Sequence, residues 1–160
     1  MKIQNTKLIF SALGLSLMVI GCDQAEDVTE KEAPMTENTI AAPADVGAIP
    51  ADATVTAEGI GIRIVSEGDG ENFPTLDNDV TVHYTGWTTD GVMFDSSVVR
   101  GEPATFPLSR LIPGWQMAIP TMSKGEKALL WIPVELAYNN SPGAPAGMLV
   151  FEIELIDIAG

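Results

Sequence analysis

The chain has 160 residues, 46% of them hydrophobic, and a formal net charge of −14. Its length suits one modest domain with a single core, and the excess of acid excludes electrostatic binding of nucleic acid or anionic lipid headgroups. One cysteine and one histidine exclude an intramolecular disulfide and a His/Cys metal centre, so neither metal nor cofactor is expected.

In chain order, residues 1–21 come first. Lys2 and Lys7 precede an apolar run from Leu8 to Ile20, the pattern of a signal peptide. The run is shorter than the about 20 apolar residues that a membrane-spanning helix needs. A lone cysteine is ordinarily a buried hydrophobe or a free thiol. Cys22, however, directly follows Val19-Ile20-Gly21, and this stretch resembles a bacterial lipobox. The resemblance implies cleavage before Cys22 and acylation of it, palmitate included, and several chains on one residue anchor stably. The protein would then face the periplasm from the cell envelope. Asp23 resembles an inner-membrane retention signal of enterobacterial lipoproteins, with the outer membrane as the alternative.

Residues 22–52 follow as an acidic stretch with several Ala and Pro and no aromatic. Such a segment cannot bury enough to fold by itself, and it is expected to be a flexible spacer extended by self-repulsion and proline. A partner-binding tail is its other reading. The folded domain is expected over residues 53–160.

Within that domain, alternation with a period of two identifies strands. Ile60 to Ile64 alternates Ile, Gly, Ile, Arg, Ile. Val80, Val82 and Tyr84 share one face, with Thr81, His83 and Thr85 on the other. One short helical candidate spans Gly114 to Thr121, with Pro113 near the first helical position, where its missing N–H costs little. Pro120 ends or kinks it. Ala128, Leu130 and Ile132 face inward, which turns Leu129 and Trp131 outward, an odd choice for a solvated face. Leu149, Phe151, Ile153 and Leu155 point to the core, and Glu152 and Glu154 to water. An antiparallel sheet with one short helix to cover it is an α+β domain.

Five blocks then stand out: Val80 to Trp87 (Val-Thr-Val-His-Tyr-Thr-Gly-Trp), Gly91 to Arg100, Leu111 to Trp115 (Leu-Ile-Pro-Gly-Trp), Met122 to Gly125, and Ile132 to Tyr138. In this order and near this spacing they resemble the FKBP-type peptidyl-prolyl isomerases from roughly Gly59 to Ile158. The resemblance implies an FKBP-like fold, a twisted antiparallel sheet of about five strands wrapped on one short helix. It implies a proline pocket with Trp115 as floor and Tyr84, Phe94, Leu111, Ile112 and Phe151 as walls. Asp95 would pair with Arg100 and share a hydrogen-bond network with Tyr84, and the Tyr138 hydroxyl would bond a substrate carbonyl. Tyr84, Asp95 and Tyr138 are thus the implied catalytic residues, the others substrate-binding. Each also has a plain reading. Phe94, Leu111, Ile112, Trp115 and Phe151 suit an ordinary core, Asp95 before two serines suits a turn, and Arg100 suits a solvated surface. His83 is turned away by its parity.

The chain departs from the family in several places. Ala104 follows Pro103 where many relatives carry an aromatic, which would open one wall. The segment between Leu108 and Leu111 is shorter than in eukaryotic members. Asn139 stands where glycine is usual, and the loop from Asn140 to Met148 is short. Some relatives dimerise through long N-terminal helices, whereas Pro34, Pro43 and Pro50 here predict a monomer.

The function implied by the resemblance is isomerisation of X-Pro bonds in exported, proline-containing polypeptides, with macrolide inhibitors of the family as further ligands. Amide resonance sets a barrier of about 18–20 kcal/mol, and a dry pocket that binds the twisted bond best needs no nucleophile. The alternative is a lipid-anchored chaperone or peptide-binding module with little turnover, using the outward Leu129 and Trp131.

Overall fold

The computed structural model describes residues 39–160. The signal-like stretch, Cys22, Asp23 and the first part of the spacer lie outside the described residues. No helix among the described residues is long and apolar enough to cross a membrane.

Seven strands form one antiparallel sheet: β1 (Thr54–Val55), β2 (Gly61–Ser66), β3 (Asp79–Thr88), β4 (Met93–Ser96), β5 (Ala104–Pro107), β6 (Lys127–Ile132) and β7 (Leu149–Ala159). Their order is β1-β2-β6-β7-β3-β4, with β5 also paired to β3. The long β3 and β7 pair along their full length, from Asp79 opposite Ala159 to Thr88 opposite Leu149. The sequence suggested about five strands. Alternation located four of the seven, β2, β3, β6 and β7; the three it did not locate are β1 and the four-residue β4 and β5, too short for a period to identify them.

The inner face follows the alternation. Val80, Val82 and Tyr84 of β3, Ala128, Leu130 and Ile132 of β6, and Leu149, Phe151, Ile153 and Leu155 of β7 are all buried in one core. That core closes on α2 (Pro113–Ala118), which runs into a 3-10 turn over Ile119–Thr121. Pro113 sits at the start of α2 and Pro120 in the 3-10 turn, where the ring prevents continuation of the α-helical ladder. Trp115, Ala118 and Ile119 of this segment, and Met122 just after it, are buried in the same core. A second helix, α1 (Ser97–Arg100), escaped the sequence reading because a single turn carries no period.

The outer face holds the main departure from expectation. Residues 40–52, placed by composition in the flexible spacer, lie folded on the sheet together with Ala53. Ile40, Ala42, Val46, Ile49 and Ala53 pack against a second core of Trp87, Leu129, Trp131 and Val150. Trp87 Nε1 donates to the Ile40 carbonyl at 2.9 Å and Trp131 Nε1 to the Asp45 carbonyl at 3.2 Å. Arg63 pairs with Asp45 and lies 5.3 Å from the centre of the Trp131 ring. Composition reports only that the segment cannot fold alone. The sheet supplies the aromatics that the segment lacks, and the segment explains why Leu129 and Trp131 face outward.

Candidate active site

Nine residues from seven parts of the fold converge on a pocket of about 210 Å³: Tyr84, Phe94, Asp95, Phe106, Leu111, Ile112, Trp115, Tyr138 and Phe151. Eight of them are residues that the sequence singled out. The ninth sequence-stated residue, Arg100, lies at its rim through Asp95.

Trp115 anchors the aromatic wall and is 4% exposed. Tyr84 meets it edge-on at 5.4 Å and 78°, Phe151 at 5.3 Å and 86°, and Phe106 at 6.5 Å and 75°. Phe94 stands at 89° to Phe151 with centroids 5.6 Å apart. Such edge-to-face pairs are each worth about 0.5–1.5 kcal/mol beyond burial, so the wall is rigid before any ligand arrives. Gly86 makes the Phe94–Phe151 pair possible. A Cβ there would lie 2.9 Å from Phe94 Cε2 and 2.9 Å from Phe151 Cε1. Trp115 Nε1 is the single buried side-chain polar atom among the described residues without a partner.

Phe106 is the lining residue that the sequence reading missed. Ala104 leaves a gap in the expected wall, but period two in β5 puts Phe106 on the same face. Its ring stands 6.2 Å from that of Tyr84. Four residues are too few to identify β5 from sequence, and the parity of Phe106 with Ala104 gains meaning only once β5 is paired to β3.

The polar edge is a closed triangle. The Tyr84 hydroxyl donates to Asp95 Oδ2, Arg100 Nη1 donates to Asp95 Oδ1, and Arg100 Nη2 donates to Tyr84 Oη at 2.9 Å. Two serines make this geometry. Ser96 caps α1 by accepting from the Val99 N–H at 3.2 Å, and Gly101 closes the turn in the left-handed region at φ 80. That single turn swings Arg100 back onto Asp95. Ser97 Oγ accepts from the Tyr84 N–H at 2.8 Å and donates to the Tyr84 carbonyl at 3.3 Å, fixing α1 to β3 beside the pocket. His83 lies on the opposite face of β3, with Nδ1 3.1 Å from Ser97 Oγ, in a crevice with Thr85, Lys127, Glu152 and Glu154.

Burial raises the Asp95 carboxyl, but the Tyr84 hydrogen bond, the hydrogen bond and charge of Arg100 and the Ser96 backbone together outweigh it, leaving the group below the ordinary carboxylate range. Tyr84 is raised by burial and by its bond to Asp95. Tyr138 is raised by burial and by the Asp95 charge. Near neutrality the site therefore holds one carboxylate, one guanidinium and two neutral phenols. The Tyr84 O–H is committed to Asp95. No protein partner among the described residues takes the Tyr138 O–H, which, like the Trp115 Nε1–H, is a donor left for a ligand.

The loop after Tyr138 is short but ordered by its own bonds. Asn139 and Asn140 adopt φ 47 and φ 55, and asparagine is among the residues that tolerate this region. The Ser141 N–H reaches the Tyr138 carbonyl at 2.9 Å, and the Gly147 N–H reaches Asn140 Oδ1 at 2.9 Å. Tyr138 is thereby held at the base of the loop.

Residues 70–156 match the family described as FKBP-type peptidyl-prolyl cis-trans isomerase. The FKBP-type 22 kDa peptidyl-prolyl cis-trans isomerase of Escherichia coli strain K12 is 48% identical over 107 residues, which are 64% of this chain and 52% of that protein. A peptidyl-prolyl cis-trans isomerase of Schizosaccharomyces pombe is 42% identical over 106 residues, 62% of this chain and 95% of the relative. Among solved structures, the crystal structure of FkpA from Escherichia coli superposes with a TM-score of 0.64 at 37% identity, covering 69% of this chain and 53% of that one. The chain belongs to the FKBP-type peptidyl-prolyl cis-trans isomerase family and has its fold. It spans about half the length or less of the bacterial relatives it matches.

Proposed function

We propose that the protein is a peptidyl-prolyl cis-trans isomerase acting on X-Pro bonds of exported polypeptides. The observation that carries the reading is the pocket itself, an aromatic cavity edged by the Tyr84–Asp95–Arg100 triangle and the uncommitted Tyr138 hydroxyl. Its volume lies below the about 300–1,000 Å³ of sites for drug-sized ligands, which suits a proline ring better than a cofactor. Trp115 forms the floor, with Phe94, Leu111, Ile112, Phe106 and Phe151 as walls.

Rotation about the X-Pro bond weakens amide resonance and its charge separation. An apolar wall therefore disfavours the planar amide relative to the twisted one, provided the wall grips the twisted form best. Tyr138 would donate to a substrate carbonyl. Tyr84 and Arg100 fix the Asp95 carboxylate at the rim, where it can face the twisting bond without moving. No covalent intermediate is involved. A soluble assay of X-Pro exchange tests the reading: acceleration must scale with protein and fall in variants of Asp95.

The same proposal includes an envelope location. Its support is sequence alone: the apolar run before Val19-Ile20-Gly21-Cys22, and Asp23 after it. We place the lipid on Cys22, favour the inner membrane over the outer, and expect a monomer. The monomer gains support from residues 40–53, which occupy the apolar outer face that a second copy would otherwise need. Macrolide inhibitors of the family are proposed ligands of the same pocket. The binding-only reading had leaned on Leu129 and Trp131 as an open client face, and their cover by residues 40–53 removes that support.

A further inference from the structure

We infer that Gln116 is a positioning residue that sets the Leu111–Ile112 wall of the pocket, an inference that rests on the isomerase reading. Leu111 and Ile112 lie between the 3-10 turn of Leu108–Arg110 and α2, with extended backbone at both positions (φ −82, ψ 173 and φ −60, ψ 148). Neither belongs to a strand or helix, and α2 starts without a side-chain cap. A wall built on two such residues needs another constraint.

Gln116 provides it from the first turn of α2. Helical side chains lean toward the N-terminus of their helix, and the Gln116 carboxamide reaches back along this direction. Its Nε2 donates to the Leu111 carbonyl at 2.7 Å and to the Ser109 carbonyl at 3.2 Å. Its backbone N–H donates to the Ile112 carbonyl at 3.2 Å, an acceptor shared with the Trp115 N–H at 2.9 Å. The Leu111 N–H closes the other side onto the Leu108 carbonyl at 3.2 Å. One residue thus ties both wall residues to the helix that carries the Trp115 floor. Its two amide hydrogens match two carbonyls, a demand that an acceptor-only side chain cannot meet.

Gln116 lines no part of the pocket, so its effect is on wall placement. Gln116→Glu keeps the shape but removes both donors and sets a carboxylate against two carbonyls. Gln116→Lys restores donors at similar reach. In the full-length protein, KM for an X-Pro peptide is expected to rise about fivefold in Gln116→Glu, the equivalent of one lost hydrogen bond, with kcat within about twofold. Gln116→Lys should return KM to within about twofold of wild type. Amide shifts of Leu111 and Ile112 should move in Gln116→Glu while those of β3 and β7 stay fixed. Unchanged KM and unchanged Leu111 and Ile112 shifts in Gln116→Glu overturn the inference, as does a loss spread evenly over the fold. If wild type shows no turnover, the same peptide is titrated by NMR. Weaker binding in Gln116→Glu, recovered in Gln116→Lys, then supports the clamp while the isomerase reading falls. Equal binding in all three overturns the clamp.

Discussion

Asp45 and Trp131 are 86 residues apart in sequence, and the indole N–H of Trp131 donates to the Asp45 carbonyl at 3.2 Å. This bond fixes the segment around Asp45 to the sheet, whose outer face residues 40–53 seal. Trp131 is fully buried and Leu129 nearly so only because residues 40–53 lie over them. Ile49→Ala should therefore destabilise the fold by about 1–2 kcal/mol, less than the about 2–5 kcal/mol of a fully buried site. Urea unfolding measures this, and turnover on short peptides should not change. An unaltered midpoint would mean that the segment adds nothing to the fold.

Tyr84→Phe removes the hydroxyl that both donates to Asp95 and accepts from Arg100. Asp95→Leu removes the carboxylate at the centre of the same triangle. Both variants should lower kcat/KM several-fold, on the order of 1–2 kcal/mol of transition-state stabilisation, with a native circular dichroism spectrum. Wild-type rates from either folded variant would remove these residues from the mechanism.

Activity should be level through neutral pH and fall in acid. The folded-state carboxyl of Asp95 titrates below its unfolded value. Its contribution to stability is thus complete above the unfolded value of about 4 and is lost as pH drops through the lower folded value. Tyr84 and Tyr138 titrate above the ordinary phenol value, so both remain neutral donors until well into alkali. The pH profile of kcat/KM checks the pattern. In Asp95→Leu the acid limb of stability should flatten, and a fall near neutrality in the wild type would contradict the account.

Gly86→Ala should damage the pocket from behind. The added methyl would press on the rings of Phe94 and Phe151, and overpacking of this kind costs about 1–3 kcal/mol. Thermal melting should show the loss, together with a raised KM for X-Pro peptides. A variant of wild-type stability and affinity would show that the two rings have room to retreat.

Much of this was legible in the sequence where side chains alternate. Period two assigned β3, β6 and β7 and the inward face that carries Tyr84 and Phe151. Pro113 and Pro120 bracketed the region of α2. Short elements left no period, so α1 and the edge strands stayed hidden, although Ser96 and Gly101 mark the ends of α1. Phe106 lies in no recognisable block, and only the pairing of β5 with β3 brings it to the pocket two positions beyond Ala104. The segment at 40–53 could not be read by composition, because its few aliphatic residues matter only against Trp87 and Trp131. Leu129 and Trp131, apolar on a face expected to meet water, were the signal that something covered them.

The central claim is that the aromatic pocket catalyses rotation about X-Pro bonds. The most direct test is the cis-to-trans exchange rate of short X-Pro peptides, varied at the residue before proline, with the folded protein and with Asp95→Leu. The account predicts exchange that quickens in proportion to wild-type protein and returns toward the uncatalysed rate, tens to hundreds of seconds, in the variant. Folded wild-type protein that accelerates none of the peptides would contradict it.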